Sequence, residues 1–211
     1  ATVGKAHIEV ESKPHVHIFS TGDEIVGLHE TPKDHQIRSS NVMMLKSVLL
    51  SKGFKANSSH LPDSAEKIKA NIDKVLESND IILLSGGVSA GKKDLIPGVL
   101  AEAGFETVFH KISQKPGRPL LVATRPDGKV VFAFPGNPIS TLTCFWVYFL
   151  PWVSGEWPEY QVKEIKFLPK PSAELDQWIP VENGEVLAHN GSGDLINLSR
   201  ADGLVWQKAG D

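Results

Sequence analysis

The sequence predicts a three-layer α/β/α domain with a mostly parallel sheet, followed by a small β domain. Three observations support that class. From Pro14 to Trp152, short β-like apolar runs alternate with runs of helical period, as stacked βα units do. Glycine-rich turns stand where predicted strands hand over to helices. Beyond Ser154 the pattern becomes apolar and polar alternation broken by glycine, which reads as β structure. The expected division is 1–13 as the tail of an upstream unit, 14–153 as the α/β domain, and 154–211 as the β domain, cut short in its last strand.

The elements follow in order. His15 to Ser20 is the first strand. After a polar loop, Val42, Leu45, Val48 and Leu49 recur at helical spacing until Gly53, a suitable C-terminal cap. Lys55 to Leu61 is a second strand. It runs into Asp63-Ser64-Ala65-Glu66, which resembles a capping box, ahead of a helix whose inward face is Ile68, Ile72, Val75 and Leu76. Ile81 to Leu84 is a third strand, followed by the glycine-rich Ser85 to Gly91 and a short helix from Asp94 to Ala103. Leu120 to Thr124 and Val130 to Phe134 are strands joined by Pro126-Asp127-Gly128-Lys129, a hairpin signal. Asn137 and Pro138 suit the N-cap and first turn of an apolar helix from Ile139 to Val153.

Composition removes several classes. With 211 residues, 41% apolar and 22% charged, the chain can bury a core. Its net charge of −3 gives no basic footprint for nucleic acid. The run Ile139 to Val153 is about 15 residues, short of the roughly 20 needed to span a bilayer, so no membrane partner is expected. Cys144 is the single cysteine and no signal peptide is evident, which points to the cytoplasm.

Four groups of residues carry chemistry. Ser85-Gly86-Gly87 frees backbone N–H groups near a helix start, an arrangement that cradles anions. The same stretch nearly completes a Walker A loop through Gly91 and Lys92, but Lys93 stands where magnesium needs Ser or Thr. It also fits G-x-S-x-G around Ser89, with Asp176 and His189 in hydrolase order, although a hydrolase elbow runs straight into its helix. A turn that binds nothing is the plainest alternative. Asp23, Glu24, Asp63 and Asp94 follow the first three strands and share the rim where open sheets bind ligands; singly, each also serves as a cap or a solvated charge. Lys111, Lys115 and Arg118 flank the turn at Pro116-Gly117 and suit phosphate or an ordinary basic loop. Pro135-Gly136-Asn137-Pro138 brings a strand to a helix N-terminus.

Taken together, Ser20-Thr21-Gly22-Asp23-Glu24, Ser85-Gly86-Gly87-Val88-Ser89-x-Gly91 with Asp94, Lys115-Pro116-Gly117-Arg118-Pro119 and Pro135-Gly136-Asn137-Pro138 resemble the molybdopterin-binding domain of MoeA-type molybdopterin molybdenumtransferases. Asn190-Gly191-Ser192-Gly193-Asp194 and Ala201-Asp202-Gly203-Leu204 are similar to that family's C-terminal β domain, which adenylyltransferase relatives lack. One departure is Ser39, where the family usually has an aspartate two residues before Asn41.

The resemblance implies insertion of molybdate into adenylylated molybdopterin, with loss of AMP. Molybdopterin and molybdate are then the partners, and the full-length protein is expected to be a homodimer. Ser20, Thr21, Gly22, Asp23, Ser85, Gly86, Gly87, Val88, Ser89, Gly91, Lys111, Lys115, Pro116, Gly117, Arg118, Pro135, Gly136, Asn137 and Pro138 are assigned to cofactor binding. Backbone N–H groups of Gly86, Gly87 and Val88 are expected to meet phosphate. Glu24, Asp63 and Asp94 are assigned to catalysis. Bare carboxylates beside a dianion oppose binding by roughly 4 kcal/mol per close pair, so Mg²⁺ held by Glu24 and Asp94 is expected. The alternatives are a binding or scaffold module without turnover and an adenylyltransferase.

Overall fold

A computed structural model describes residues 4, 7–88, 94–159, 161, 165–188 and 194–210. In chain order the elements are β1 (His15–Thr21), β2 (Ile25–Val26), β3 (Ile37–Arg38), α1 (Ser40–Ser51), β4 (Lys55–Leu61), α2 (Ala65–Leu76), β5 (Ile81–Ser85), α3 (Ile96–Glu102) and β6 (Glu106–His110). There follow β7 (Gln114–Lys115), β8 (Leu121–Thr124), β9 (Val130–Phe134), α4 (Pro138–Cys144), a π-helical turn (Phe145–Phe149), α5 (Leu150–Ser154), β10 (Asp176–Glu182), β11 (Glu185–Val186), α6 (Leu195–Leu198) and β12 (Gly203–Gln207).

The main sheet has the order β4-β1-β5-β9-β8-β6. β4, β1, β5 and β9 are parallel, and β8 is antiparallel to both β9 and β6. β6 therefore runs the same way as the four parallel strands. Alternation along β5 sends Ile81 and Leu83 to one face and Ile82 and Leu84 to the other, each face with its own core. One core packs against Leu45, Leu49, Phe145 and Phe149; the other against Ile68, Ile72, Val99 and Leu100. That is the expected three-layer α/β/α arrangement.

Helix ends follow local chemistry. Gly53 takes φ +76°, its N–H bonds Leu50 O at 3.0 Å, and the Phe54 N–H bonds Leu49 O at 3.0 Å, a Schellman motif sealed by buried Phe54. Gly104 and Phe105 repeat it after α3, onto Ala101 O and Leu100 O. Asn137 caps α4 as expected, its Oδ1 accepting the Ser140 N–H at 3.2 Å. The hairpin forms between β8 and β9, with Gly128 at φ +85°.

Several expectations need correction. The capping box does not form: Ser64 is the N-cap, its hydroxyl makes no capping bond, and Glu66 falls in the second helical position, too early to reciprocate. The apolar run Ile139 to Val153 is not one α-helix. Its middle turn is π-helical, with the Leu150 N–H reaching Phe145 O, because Pro151 has no N–H to give Val147. The polar loop after β1 contains the short parallel pair β2 and β3. β6 carries no sequence signal, being an exposed edge strand with a register shift between Thr107 and Phe109.

The second sheet has the order β11-β10-β12, and β7 pairs with β10 in parallel. A strand from within the expected α/β segment thus completes the sheet built from the C-terminal residues.

Candidate active site at the carboxyl edge of the sheet

The chain leaves β1 toward β4 and leaves β4 toward β5, so the sheet order reverses between β1 and β5. Ligands in open α/β sheets bind outside the carboxyl ends at such a point. Along that edge lie, in order, Asp63 after β4, Asp23 and Glu24 after β1, Gly86 and Gly87 after β5, Gly136 and Asn137 after β9, and Lys111 after β6.

The centre is a set of turns packed backbone to backbone. Buried Thr21 donates its hydroxyl to Ser85 O at 3.3 Å. Gly86 takes φ +101°, and a Cβ there would fall 2.6 Å from Thr21 Oγ1. Gly87 takes φ +73°, and its Cβ would fall 2.7 Å from Ile96 Cγ1. A Cβ on Gly136 would sit 3.6 Å from Gly86 Cα, so the two turns touch through their main chains. Only glycine meets both the positive φ and the close approach at Gly86 and Gly87.

Asn41 is a site residue that sequence reasoning did not assign. At the start of α1, its Nδ2 lies 2.8 Å from Ser85 Oγ, 2.8 Å from Gly136 O and 3.3 Å from Thr141 Oγ1. It ties the turn after β5 to the turn after β9. Its buried Oδ1 has no hydrogen-bond partner among the described residues, an acceptor held in the site at a desolvation cost.

The expected phosphate cradle is narrower than the sequence suggests. The Gly86 N–H donates to Phe134 O at 3.0 Å, extending the β5–β9 ladder, so it is not free for an anion. Gly87 and Val88 N–H make no bond among the described residues, and Val88 is buried. Ser89 and Gly91, like His189, lie outside the described residues. Asp176 belongs to the second sheet, where its carboxylate accepts from Trp206 Nε1 at 3.1 Å and Ala209 N at 2.9 Å. Among the described residues α3 starts only at Ile96, so the Ser89 elbow itself lies outside them, and Asp176 is committed to the second sheet.

On the β4 side, Asp23 Oδ1 accepts the Asp63 N–H at 3.4 Å, and the Glu24 carboxylate folds back over Gly22. Ser20 Oγ and His60 Nδ1 are 3.0 Å apart at the rim of an open cleft of about 360 Å³, which Ser39, Val42 and Met43 also line. Asp94 is half-buried near His110 and Lys111. Burial pushes its carboxyl up to about 6, against the opposing pull of His110, the Ile96 N–H and Lys111. Asp94 Oδ1 and His110 Nε2 are both buried without a hydrogen-bond partner among the described residues. Among the described residues no three His, Cys, Asp or Glu side chains form a metal cage. A hard cation that keeps its waters and substrate phosphates needs only one or two carboxylates, and the orphaned Asp94 oxygen is compatible with that.

The basic loop is tightly built. Lys111 takes φ +69°, rare for a residue with a Cβ, and its N–H bonds Leu120 O at 2.9 Å. The Lys115–Pro116 peptide is cis, and Gly117 takes φ +102° against Cys144. Lys115 and Arg118 are exposed, with no ion pair among the described residues. No described helix is long and apolar enough to cross a membrane.

Comparisons with known proteins find relatives of this chain and fold. The family model described as "Probable molybdopterin binding domain" matches residues 17–155. The molybdopterin molybdenumtransferase of Synechocystis sp. is 36% identical over 209 residues, covering 96% of this chain and 53% of that protein. The molybdenum cofactor synthesis protein cinnamon of Drosophila melanogaster is 37% identical over 66% of this chain and 23% of its own length. Among solved structures, the molybdopterin biosynthesis moea protein of Pyrococcus horikosii superposes with a TM-score of 0.77 at 30% identity, over 93% of this chain and 50% of that one. The chain thus spans about half the length of the Synechocystis relative.

Proposed function

Since this chain belongs to the molybdopterin-binding domain family, a family of molybdenum cofactor biosynthesis, we propose that it inserts molybdate into adenylylated molybdopterin with release of AMP. The observation that carries the reading is the meeting of Thr21, Gly86–Gly87 and Gly136, tied by Asn41, at the point where the strand order reverses. A phosphate ester fits there because Gly87 and Val88 offer backbone N–H groups and the β9 turn ends at a helix N-terminus. Lys111, Lys115 and Arg118 offset the charge of the pyrophosphate and of molybdate.

Glu24 and Asp94 are the residues that would hold Mg²⁺, which supplies charge neutralisation for the phosphates. Asp63, exposed on the adjoining loop, takes the proton of the water that breaks the phosphoanhydride. The water oxygen stays on one of the two phosphates as AMP leaves, and in the insertion itself the two dithiolene sulfurs displace an oxide of molybdate, which departs as water with the two thiol protons and no change of oxidation state. A homodimer of the full-length protein belongs to the same proposal.

The test is AMP release from adenylylated molybdopterin by the purified chain with Mg²⁺, with and without molybdate. Molybdate-dependent release, lost on chelation, is expected. Release that ignores molybdate overturns the insertion reaction, and full release in chelator overturns the role of Mg²⁺. Asp94→Asn should bind within a few-fold of the parent but release no AMP.

A further inference from the structure

We propose that Gln114 is the positioning residue of the basic loop, through which the second sheet sets where Lys115 and Arg118 stand. The inference deepens the proposed function and rests on the reading of that loop as anion-binding.

Gln114 is 3% exposed, an unusual place for an amide, and its side chain is fully engaged. Its Nε2 donates to Pro116 O at 2.8 Å and lies 3.9 Å from Cys144 Sγ. Its Oε1 accepts from the Tyr148 hydroxyl and from Trp178 Nε1, the latter at 3.1 Å. An indole N–H only donates and a carbonyl only accepts, so the amide has one possible orientation. One end grips the loop, while the other grips the π-helical turn and the second sheet.

The main chain repeats the tie. Gln114 and Lys115 pair with Asp176 and Gln177, and the Asp176 N–H bonds Ser113 O at 3.0 Å. The loop then closes on itself, the Ile112 N–H reaching Arg118 O at 2.9 Å. There is no slack beneath it. A Cβ on Gly117 would overlap Cys144 Sγ and lie 3.0 Å from Gln114 Nε2. The exposed cations therefore stand on a base whose height is fixed by Gln114.

The orientation supplies a discriminating variant. Gln114→Glu keeps an oxygen toward Trp178 and Tyr148 but turns a second oxygen on Pro116 O, where two acceptors repel. Protonation lets that oxygen donate again, so the loop should re-form as pH falls. The amide exchange rate of Ile112 in the 211-residue chain, taken as the ratio of variant to parent at each pH, reads the loop without ligand. At pH 8 the ratio is expected to be about tenfold, falling to within about threefold at pH 5.5. Pyrophosphate affinity by calorimetry should fall about tenfold at pH 8 and recover in parallel. A folded variant with a ratio near one at pH 8, or a ratio indifferent to pH, overturns the role. Should Gln114→Glu fail to fold, Trp178→Phe removes only the second-sheet donor and is expected to quicken Ile112 exchange about threefold; no change there overturns the coupling. If Lys115→Ala and Arg118→Ala leave pyrophosphate affinity untouched while the exchange ratios behave as expected, the anion reading fails and the positioning of the loop by Gln114 stands.

Discussion

Asp94 holds a charge that folding opposes. In the unfolded chain its carboxyl ionises near 3.8, whereas burial pushes it up to about 6 in the fold. Below pH 3.8 both states are protonated and the residue costs nothing. As pH rises through that interval the unfolded state gives up its proton first, and stability is lost until about pH 6. Allowing for partial solvent screening, the cost at pH 7.5 is about 1–2 kcal/mol. Asp94→Asn should therefore raise Tm at pH 7.5 by about 2–6 °C and leave it unchanged at pH 3.5, even as AMP release is lost. Scanning calorimetry at the two pH values checks this; equal gains at both would remove desolvation as the cause. Lys111 stores a second cost in its backbone at φ +69°. Lys111→Gly is expected to stabilise the chain by about 1 kcal/mol in urea titration while weakening pyrophosphate binding roughly tenfold.

Glycines separate element ends from the site. Gly53 and Gly104 have positive φ, but an added Cβ would meet only Lys13 Nζ at 3.4 Å and Arg125 Cδ at 3.6 Å, the far parts of flexible side chains. Gly53→Ala and Gly104→Ala should each cost about 1 kcal/mol, from backbone conformation alone. Gly87→Ala adds a 2.7 Å clash with Ile96 and should cost about 2–3 kcal/mol, with pyrophosphate binding lost as well. Urea midpoints for the three variants check the ordering. The same contrast explains what was legible. The runs His15 to Ser20, Ile81 to Leu84 and Val130 to Phe134 announce themselves by their apolar residues, and glycine turns mark where they end, whereas Lys55 to Leu61 buries only Ala56 and Leu61 and ends at Pro62. β6 does not, because an edge strand with Val108 58% exposed has no buried face to write a pattern. Asn41 reads locally as a residue at a helix start, yet its partners lie 44, 95 and 100 residues away. A bond of that span leaves no trace in local spacing. Nor does periodicity reveal that the Gly86 N–H is spent on Phe134, since that depends on β5 lying beside β9.

At the scale of the molecule, the two sheets divide the labour. The six-stranded sheet has a core on each face, and neither core draws on β10, β11 or β12, so it holds what a cooperative fold needs. The basic loop is different: β7 borrows its ladder partner from β10, and Gln114 borrows a donor from Trp178. Ending the chain after Ser154 therefore should leave a domain that still unfolds in one transition. Its β7 would be an unpaired edge, and Gln114 Oε1 would keep only Tyr148 among these two donors. Loss of order in Lys115 and Arg118 should weaken pyrophosphate binding about tenfold, with a smaller effect on Tm than on affinity. The chain carries a net charge of −3, so its general field does not draw a polyanion in, and these placed cations add the local charge that the backbone N–H groups of Gly87 and Val88 do not supply. Thermal unfolding and pyrophosphate titration of the shortened chain, run beside the full one, separate the two effects. If affinity survives while the second sheet is gone, the loop is rigid by itself and the second sheet serves another purpose.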